Sequence, residues 1–167
     1  MDSFIEKIVE RKKTAKDLLF SVGIVLLCAI VIFIIPAIPY INYMPLVFMA
    51  GAVYGAYLLI RSRNIEFEYS VTNGEIDIDK IIARSRRKRV FSGSCKDFEI
   101  LAPLKSSQHT QSIQNIPKRI EAVSSMESQD VYFFVTNFQG ERTVVYFEPS
   151  EKMLNAFRLF IPSKIFK

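Results

Sequence analysis

The chain has 167 residues, half of them hydrophobic, with a net charge of +5 and two cysteines. From residue 65 onward it carries 15 Lys and Arg against 13 Asp and Glu, a net charge of only +2. A nucleic-acid surface needs a more one-sided charge, so nucleic acid is excluded as the expected partner.

The amino-terminal stretch, residues 1–17, is expected to be a cytoplasmic lead-in to a membrane segment. Its apolar and charged residues fall on opposite sides of a helix, as in an amphipathic helix lying at the membrane interface. An ordinary lead-in that only supplies topology charges is an equally good interpretation. The apolar side of the helix would hold Phe4, Ile5, Ile8 and Val9.

An uncharged window follows, because no Asp, Glu, Lys, Arg or His occurs from Leu18 to Ile60. A bilayer core of about 30 Å needs roughly 20 apolar helical residues, so these 43 residues hold two spans and a tight connection. Prolines end helices near the middle of the window. The predicted transmembrane hairpin has spans at 18–35 and 44–60, and Pro36, Pro39 and Pro45 fall within ten residues around the break between them.

Basic residues flank the window at both ends and are absent from its connection. The positive-inside rule therefore predicts a multi-pass plasma-membrane protein with both termini in the cytoplasm. A cleaved signal peptide fits less well, because its apolar stretch is shorter and a small-residue cleavage site would follow it. Tyr40 and Tyr43 are expected at the membrane interface. The flanking basic residues are Lys7, Arg11, Lys12, Lys13, Lys16, Arg61 and Arg63.

Small residues recur at helical spacing in the second span. Gly51 and Gly55 form a GxxxG pattern, and Ala52 and Ala56 form a parallel small pair. Such faces permit close contact between helices. Packing against the first span is the favoured use, and dimerisation is the alternative.

Residues 65–167 are predicted to form a cytoplasmic, mainly β domain. Apolar residues alternate with polar ones on both sides of Asn73-Gly74, a strong hairpin signal. A second hairpin is expected around Gln139-Gly140. The polar stretch 105–128 is an excursion whose order the sequence leaves open, and helical spacing predicts a terminal helix after an amino-terminal cap at Ser150.

Three strings in this region resemble the bacterial pleckstrin-homology-like (PH-like) domain found beside transmembrane hairpins in small, uncharacterised bacterial membrane proteins. The resemblance implies a mainly β fold with a carboxy-terminal capping helix, and it implies no chemistry. The strings are YSVTNGEI at Tyr69–Ile76, RSRRKRVFSGSCKDFEIL at Arg84–Leu101 and FEPSEKMLNAFRLFIP at Phe147–Pro162.

A basic run is the sharpest candidate for a contact surface. Five positive charges in six residues could hold the domain against anionic lipid headgroups or a partner protein. Alternatively, these residues are balanced by the acidic face of the preceding hairpin, as cross-strand partners. The run is Arg84, Arg86, Arg87, Lys88 and Arg89, and the acids are Glu66, Glu68, Glu75, Asp77 and Asp79.

No catalytic, metal-binding or cofactor-binding motif is found, so we expect no enzyme activity and no cofactor. His109 lies in a polar string typical of an exposed loop, and Cys28 and Cys95 are expected to be unpaired thiols. The favoured hypothesis is a membrane-anchored interaction or scaffold module that binds a protein partner or an anionic lipid surface. The alternative is a subunit of a membrane enzyme or transport complex whose site another chain completes.

Overall fold

The computed structural model describes residues 4–39 and 44–166, and their contacts divide them into two compact units. One unit joins residues 4–11 to residues 66–166, and the other comprises the residues between them. The elements in chain order are β1 (Phe4–Glu10), α1 (Ala15–Ile34), α2 (Pro45–Arg61), β2 (Ile65–Thr72), β3 (Glu75–Ile82), β4 (Arg86–Ser94), β5 (Ile100–Pro103), α3 (Gln111–Gln114), β6 (Lys118–Ala122), β7 (Tyr132–Phe138), β8 (Glu141–Phe147) and α4 (Glu151–Phe160).

The helical unit is an apolar pair, α1 and α2, in contact with each other. Helix α1 begins at a capping box between Thr14 and Asp17, and it ends in a 3-10 turn that contains Pro36. With that turn α1 is long and apolar enough to cross a membrane, whereas α2 is a shorter apolar helix of 17 residues. The predicted interfacial tyrosines, Tyr40 and Tyr43, lie outside the described residues.

The amino-terminal amphipathic helix is a wrong prediction, because residues Phe4–Glu10 form strand β1. β1 pairs antiparallel with β2 along its whole length, from Phe4 opposite Thr72 to Glu10 opposite Glu66. Seven residues are too few to distinguish a helical from a strand pattern. The segment forms a strand because it pairs with the edge of β2. The globular domain therefore includes β1 as well as the predicted stretch 65–167.

The first sheet has four strands in the order β1-β2-β3-β4. The predicted hairpin at Asn73-Gly74 is confirmed, and both residues have positive φ, 50° and 84°, as a two-residue hairpin turn requires. A β-bulge interrupts the pairing of β3 with β4 between Ile78 and Asp79, so that Val90 is left without an opposite residue.

The second sheet has the order β5-β7-β8-β6, in which β6 runs parallel to β8 and the other pairs are antiparallel. Its β7–β8 hairpin turns at Gln139-Gly140, as predicted. The polar stretch 105–128 is ordered: it contains the short helix α3 and the strand β6.

Aromatic side chains hold the two sheets together. Phe134 of β7 stacks on Phe98 with ring centroids 3.9 Å apart and meets Phe91 of β4 edge-on at 5.1 Å. Helix α4 places Phe157 against Phe98 and Phe147. The Ser150 cap is confirmed, because its hydroxyl accepts the amide hydrogen of Met153. The terminal helix therefore packs on the aromatic core, as an amphipathic helix should.

The second sheet is also covered on its outer face. Ile113 and Ile116 from the polar stretch are buried in one cluster with Phe133, Val144 and Tyr146 of the sheet. Burial on both faces explains why β7 and β8 contain continuous apolar runs rather than an alternating pattern.

Candidate binding surface

The predicted basic run lies in the β3–β4 turn and along β4, an edge strand of the first sheet. All five of its side chains are exposed, or nearly so, at the domain surface. Arg84 is in the turn with positive φ, 57°, and the other four residues begin β4. The fold therefore presents the run as one continuous edge.

Three arginines of the run are bound to the acidic residues that the sequence offered as their alternative partners. Arg89 contacts Asp79 at 2.5 Å and Asp77 at 2.8 Å, and Arg87 contacts Glu68 at 2.7 Å. The carboxylates of Glu68 and Asp79 are almost completely buried. Buried carboxylates need a cationic partner, so Arg87 and Arg89 first serve to stabilise the sheet.

Arg84 joins the β3–β4 turn to two strands, since its guanidinium contacts Glu66 of β2 at 2.8 Å and Glu10 of β1 at 3.1 Å. Hydrogen bonds to Glu66 and then to Glu10 raise the pKa of Arg84. Among the described residues, Arg86 and Lys88 of the run have no ion-pair partner, so the surface charge available to a ligand is smaller than the run suggests.

Lys88 is one of several cations around an open cleft of about 430 Å³ between the first sheet and the β6 side of the second sheet. Lys80 lies directly opposite Lys88 in the β3–β4 pairing. Lys80 is outside the basic run, and sequence reasoning missed it because only the strand register brings the two lysines together. The cleft is lined by Phe67, Lys80, Lys88, Arg89, Val90, Lys118, Arg119, Ile120, Glu121, Phe138 and Gln139.

A second cleft, of about 510 Å³, contains His109 and Tyr146. The prediction of an exposed loop histidine is wrong, because His109 is half-buried, with Nε2 3.2 Å from the Tyr146 hydroxyl and its ring against Phe133. Burial, followed by the charge of Arg119, lowers the pKa of His109. Burial raises the pKa of Tyr146. The hydrogen bond between His109 and Tyr146 therefore joins the polar stretch to strand β8 of the second sheet.

The small residues of α2 are only partly used within the chain. A Cβ atom at Gly51 or Gly55 would meet no heavy atom within 4 Å outside its own helix, so these glycines are not packed on α1. Ala52 and Ala56 are half-buried. Dimerisation through the glycine face, the alternative use of these small residues, stays a prediction.

An ion pair that the sequence did not suggest joins the charged ends of the helical pair. Asp17, 2% exposed, contacts Arg63 at 2.7 Å, and the Arg63 guanidinium lies over the ring of Phe20. The signal was present in the sequence, because Thr14-x-x-Asp17 is a capping box and Asp17 is the last charge before the uncharged window. No group of three or more His, Cys, Asp or Glu able to hold a metal ion occurs among the described residues.

Two packed four-stranded sheets with one terminal helix define a small β-rich domain, and this domain is joined to an apolar helical segment. The chain belongs to the bacterial PH-like domain family DUF6106, whose profile matches residues 1–167. No curated protein and no solved structure matches the chain.

Proposed function

We propose that the chain is a membrane-anchored binding module in which α1 and α2 cross the plasma membrane as a hairpin. The PH-like domain lies at the cytoplasmic face, where it binds a protein partner or the anionic lipid surface. One observation carries the proposal: β1, which precedes α1, pairs with β2, which follows α2, in the same sheet. If α1 crosses the membrane, α2 must return the chain to the side on which it started.

The surface of the helical pair supports a lipid environment. Leu19 and Phe33 of α1 are 71% and 88% exposed, and Leu46 of α2 is 78% exposed. Large apolar side chains at this exposure are unfavourable in water and stable in hydrocarbon. At 1.5 Å per residue, α2 is about 26 Å long, a few ångströms short of an average bilayer core, and flanking residues can make up such a difference.

The distribution of basic residues supports the proposed placement of the PH-like domain on the cytoplasmic side. Four basic residues precede α1 and a fifth, Lys16, lies in its first turn, while Arg61 ends α2 and Arg63 follows it. Basic residues close to a span are retained on the cytoplasmic side and are attracted to anionic headgroups by about 1 kcal/mol each.

Membrane topology is tested by cysteine labelling of the full-length protein in intact cells. Cys28→Ala removes the thiol of α1, the buried Cys95 is kept, and single cysteines are introduced at Asn42, in the connection outside the described residues, or at the exposed Ser107. We expect an impermeant maleimide to label N42C in intact cells and S107C only after lysis. The converse pattern refutes the cytoplasmic placement, and protection of both sites before lysis refutes the crossing.

Binding by the domain is tested separately, by comparing affinity purification of the full-length protein with a variant that ends at Asn64. The truncation removes β2 and every later strand of the domain but retains both helices. A stoichiometric partner that is lost on truncation supports a protein-binding module. A partner retained by the truncated chain assigns binding to the helices and contradicts a role for the domain.

A further inference from the structure

The cleft beside Lys88 has an uncompensated positive charge. Lys80 and Lys88 face each other directly across β3 and β4, and neither has a carboxylate within ion-pair distance among the described residues. Like charges opposite each other in a sheet destabilise it. Arg87 and Arg89 on the same strand do contact acids, so the folding of the sheet alone does not account for this lysine pair.

The β-bulge determines which side chains reach the cleft. Before the bulge, the core residue Ile78 pairs with Phe91, and after it Asp79 pairs with Arg89. Skipping Val90 pairs Arg89 with Asp79 and brings Lys88 opposite Lys80 at the cleft. β-bulges commonly re-aim side chains beside functional sites.

The opposite wall of the cleft adds cations that are already held in place. The Lys118 ammonium lies 3.1 Å from the Glu141 carboxylate and over the ring of Phe138. Arg119 donates from Nε to the Ile116 carbonyl at 3.2 Å.

One lining acid is present, the exposed Glu121, and no ion pair joins it to a described cation. Five cations and one carboxylate therefore line the cleft, and no described residue forms an ion pair with Lys80 or Lys88.

We propose that this cleft binds an anion of the phosphate class, carried either by a lipid headgroup or by a soluble phosphate ester. Lys80 and Lys88 supply the two direct contacts, because a phosphate group offers several oxygens and can bridge two ammonium groups. Lys118 strengthens the field from the opposite sheet. The lipid source rests on the membrane placement proposed above, whereas the phosphate chemistry does not depend on it.

The test uses the full-length protein in phosphatidylcholine nanodiscs. The probes are inorganic phosphate, glycerol 3-phosphate and vesicles of phosphatidylcholine with or without phosphatidylglycerol. The test variant is Lys80→Gln/Lys88→Gln, and the matched control is Lys105→Gln/Lys152→Gln, which removes the same charge from exposed lysines that do not line the cleft.

We expect the Lys80→Gln/Lys88→Gln variant to weaken anion binding by about tenfold or more, because it removes both charge-assisted contacts to the anion. The control should bind as the native protein does. Anion binding should also raise the Tm of the native protein, and not that of the cleft variant. Lys80→Arg, which keeps the charge, should retain binding.

The arms of the test separate the two sources of phosphate. Binding of both soluble probes assigns a soluble phosphate ester, and binding only to phosphatidylglycerol vesicles assigns a lipid headgroup. Equal weakening by the cleft variant and the control indicates diffuse charge attraction and overturns the proposal, as does the absence of binding to every probe. Cysteine labelling reports topology independently, so a failure of the membrane proposal is distinguishable from a failure of this one.

Discussion

Among the basic residues at the ends of α1 and α2, Arg63 is expected to stabilise the helical pair most. Its guanidinium contacts the carboxylate of Asp17 through Nε at 2.9 Å and through Nη2 at 2.7 Å. The same carboxylate accepts the backbone amide of Thr14 at 3.0 Å and its hydroxyl at 2.9 Å. Arg63→Gln removes this cation from a buried carboxylate.

The loss in the free energy of unfolding on Arg63→Gln depends on how deeply Asp17 and Arg63 are buried. Breaking a fully buried ion pair costs about 3–5 kcal/mol, but the Arg63 side chain is 40% exposed, so solvent screens part of the interaction. We expect Arg63→Gln to lower the free energy of unfolding by about 2 kcal/mol. For a chain of this length that corresponds to a Tm about 4–8 °C lower.

Thermal unfolding of the full-length protein in detergent, followed by circular dichroism, measures this shift. Arg61→Gln is the matched control, because Arg61 also lies over an aromatic ring, that of Tyr57, and forms no ion pair with any residue that the structure describes. Asp17→Asn combined with Arg63→Gln should cost less than the sum of the single changes, because both changes remove the same ion pair. Equal Tm values for the Arg61 and Arg63 variants would refute the reasoning.

Three further changes test local structure, each by equilibrium unfolding. Gly74→Ala should destabilise the domain by about 1–2 kcal/mol because of the positive φ, and by about 1–3 kcal/mol more because the new Cβ would lie 2.9 Å from Phe160. Gly140 has a similar φ but open space around it, so Gly140→Ala should show only the loss caused by the positive φ. Ala83→Gly should stabilise by about 0.5–1 kcal/mol, because Ala83 has φ 54°, and a loss of stability would contradict this. The pKa of His109 is lowered in the folded protein, so the unfolded chain binds this proton more readily and the free energy of unfolding falls as the pH drops through about 6.5. His109→Gln should reduce that loss of stability. An unchanged pH profile of stability would exclude His109 as its source.

Local turn and cap chemistry was predictable from the sequence because it depends on a few adjacent residues. The Asn73-Gly74 turn and the Ser150 cap formed as expected, since positive φ and an early side-chain acceptor are properties of the residues themselves. Strand β6 was not predictable, because its five residues pair only with β8, more than twenty positions later. A short strand of this kind is determined by the edge that it meets.

The candidate binding surface likewise has one part that was predictable from the sequence and one part that was not. The pairing of Arg87 and Arg89 with acids of the neighbouring strands follows from alternation along a hairpin, and it was one of the two readings of the basic run. The Lys80–Lys88 pair depends on the bulge that skips Val90, which shifts the register by one residue. Nothing in the local sequence marks that skip, so the cleft could be found only in the folded domain.

The pairing of β1 with β2 has a consequence for synthesis. β1 leaves the ribosome first, but its partner strand emerges only after both apolar helices have been made. In a chain that inserts as proposed, the two strands meet only when the hairpin has entered and returned. A chain that leaves one helix uninserted would hold the two strands in different compartments, with an open sheet edge in each. Completion of the sheet would therefore depend on insertion of both helices, and a chain that failed to insert one of them would expose unpaired strand edges, which promote aggregation.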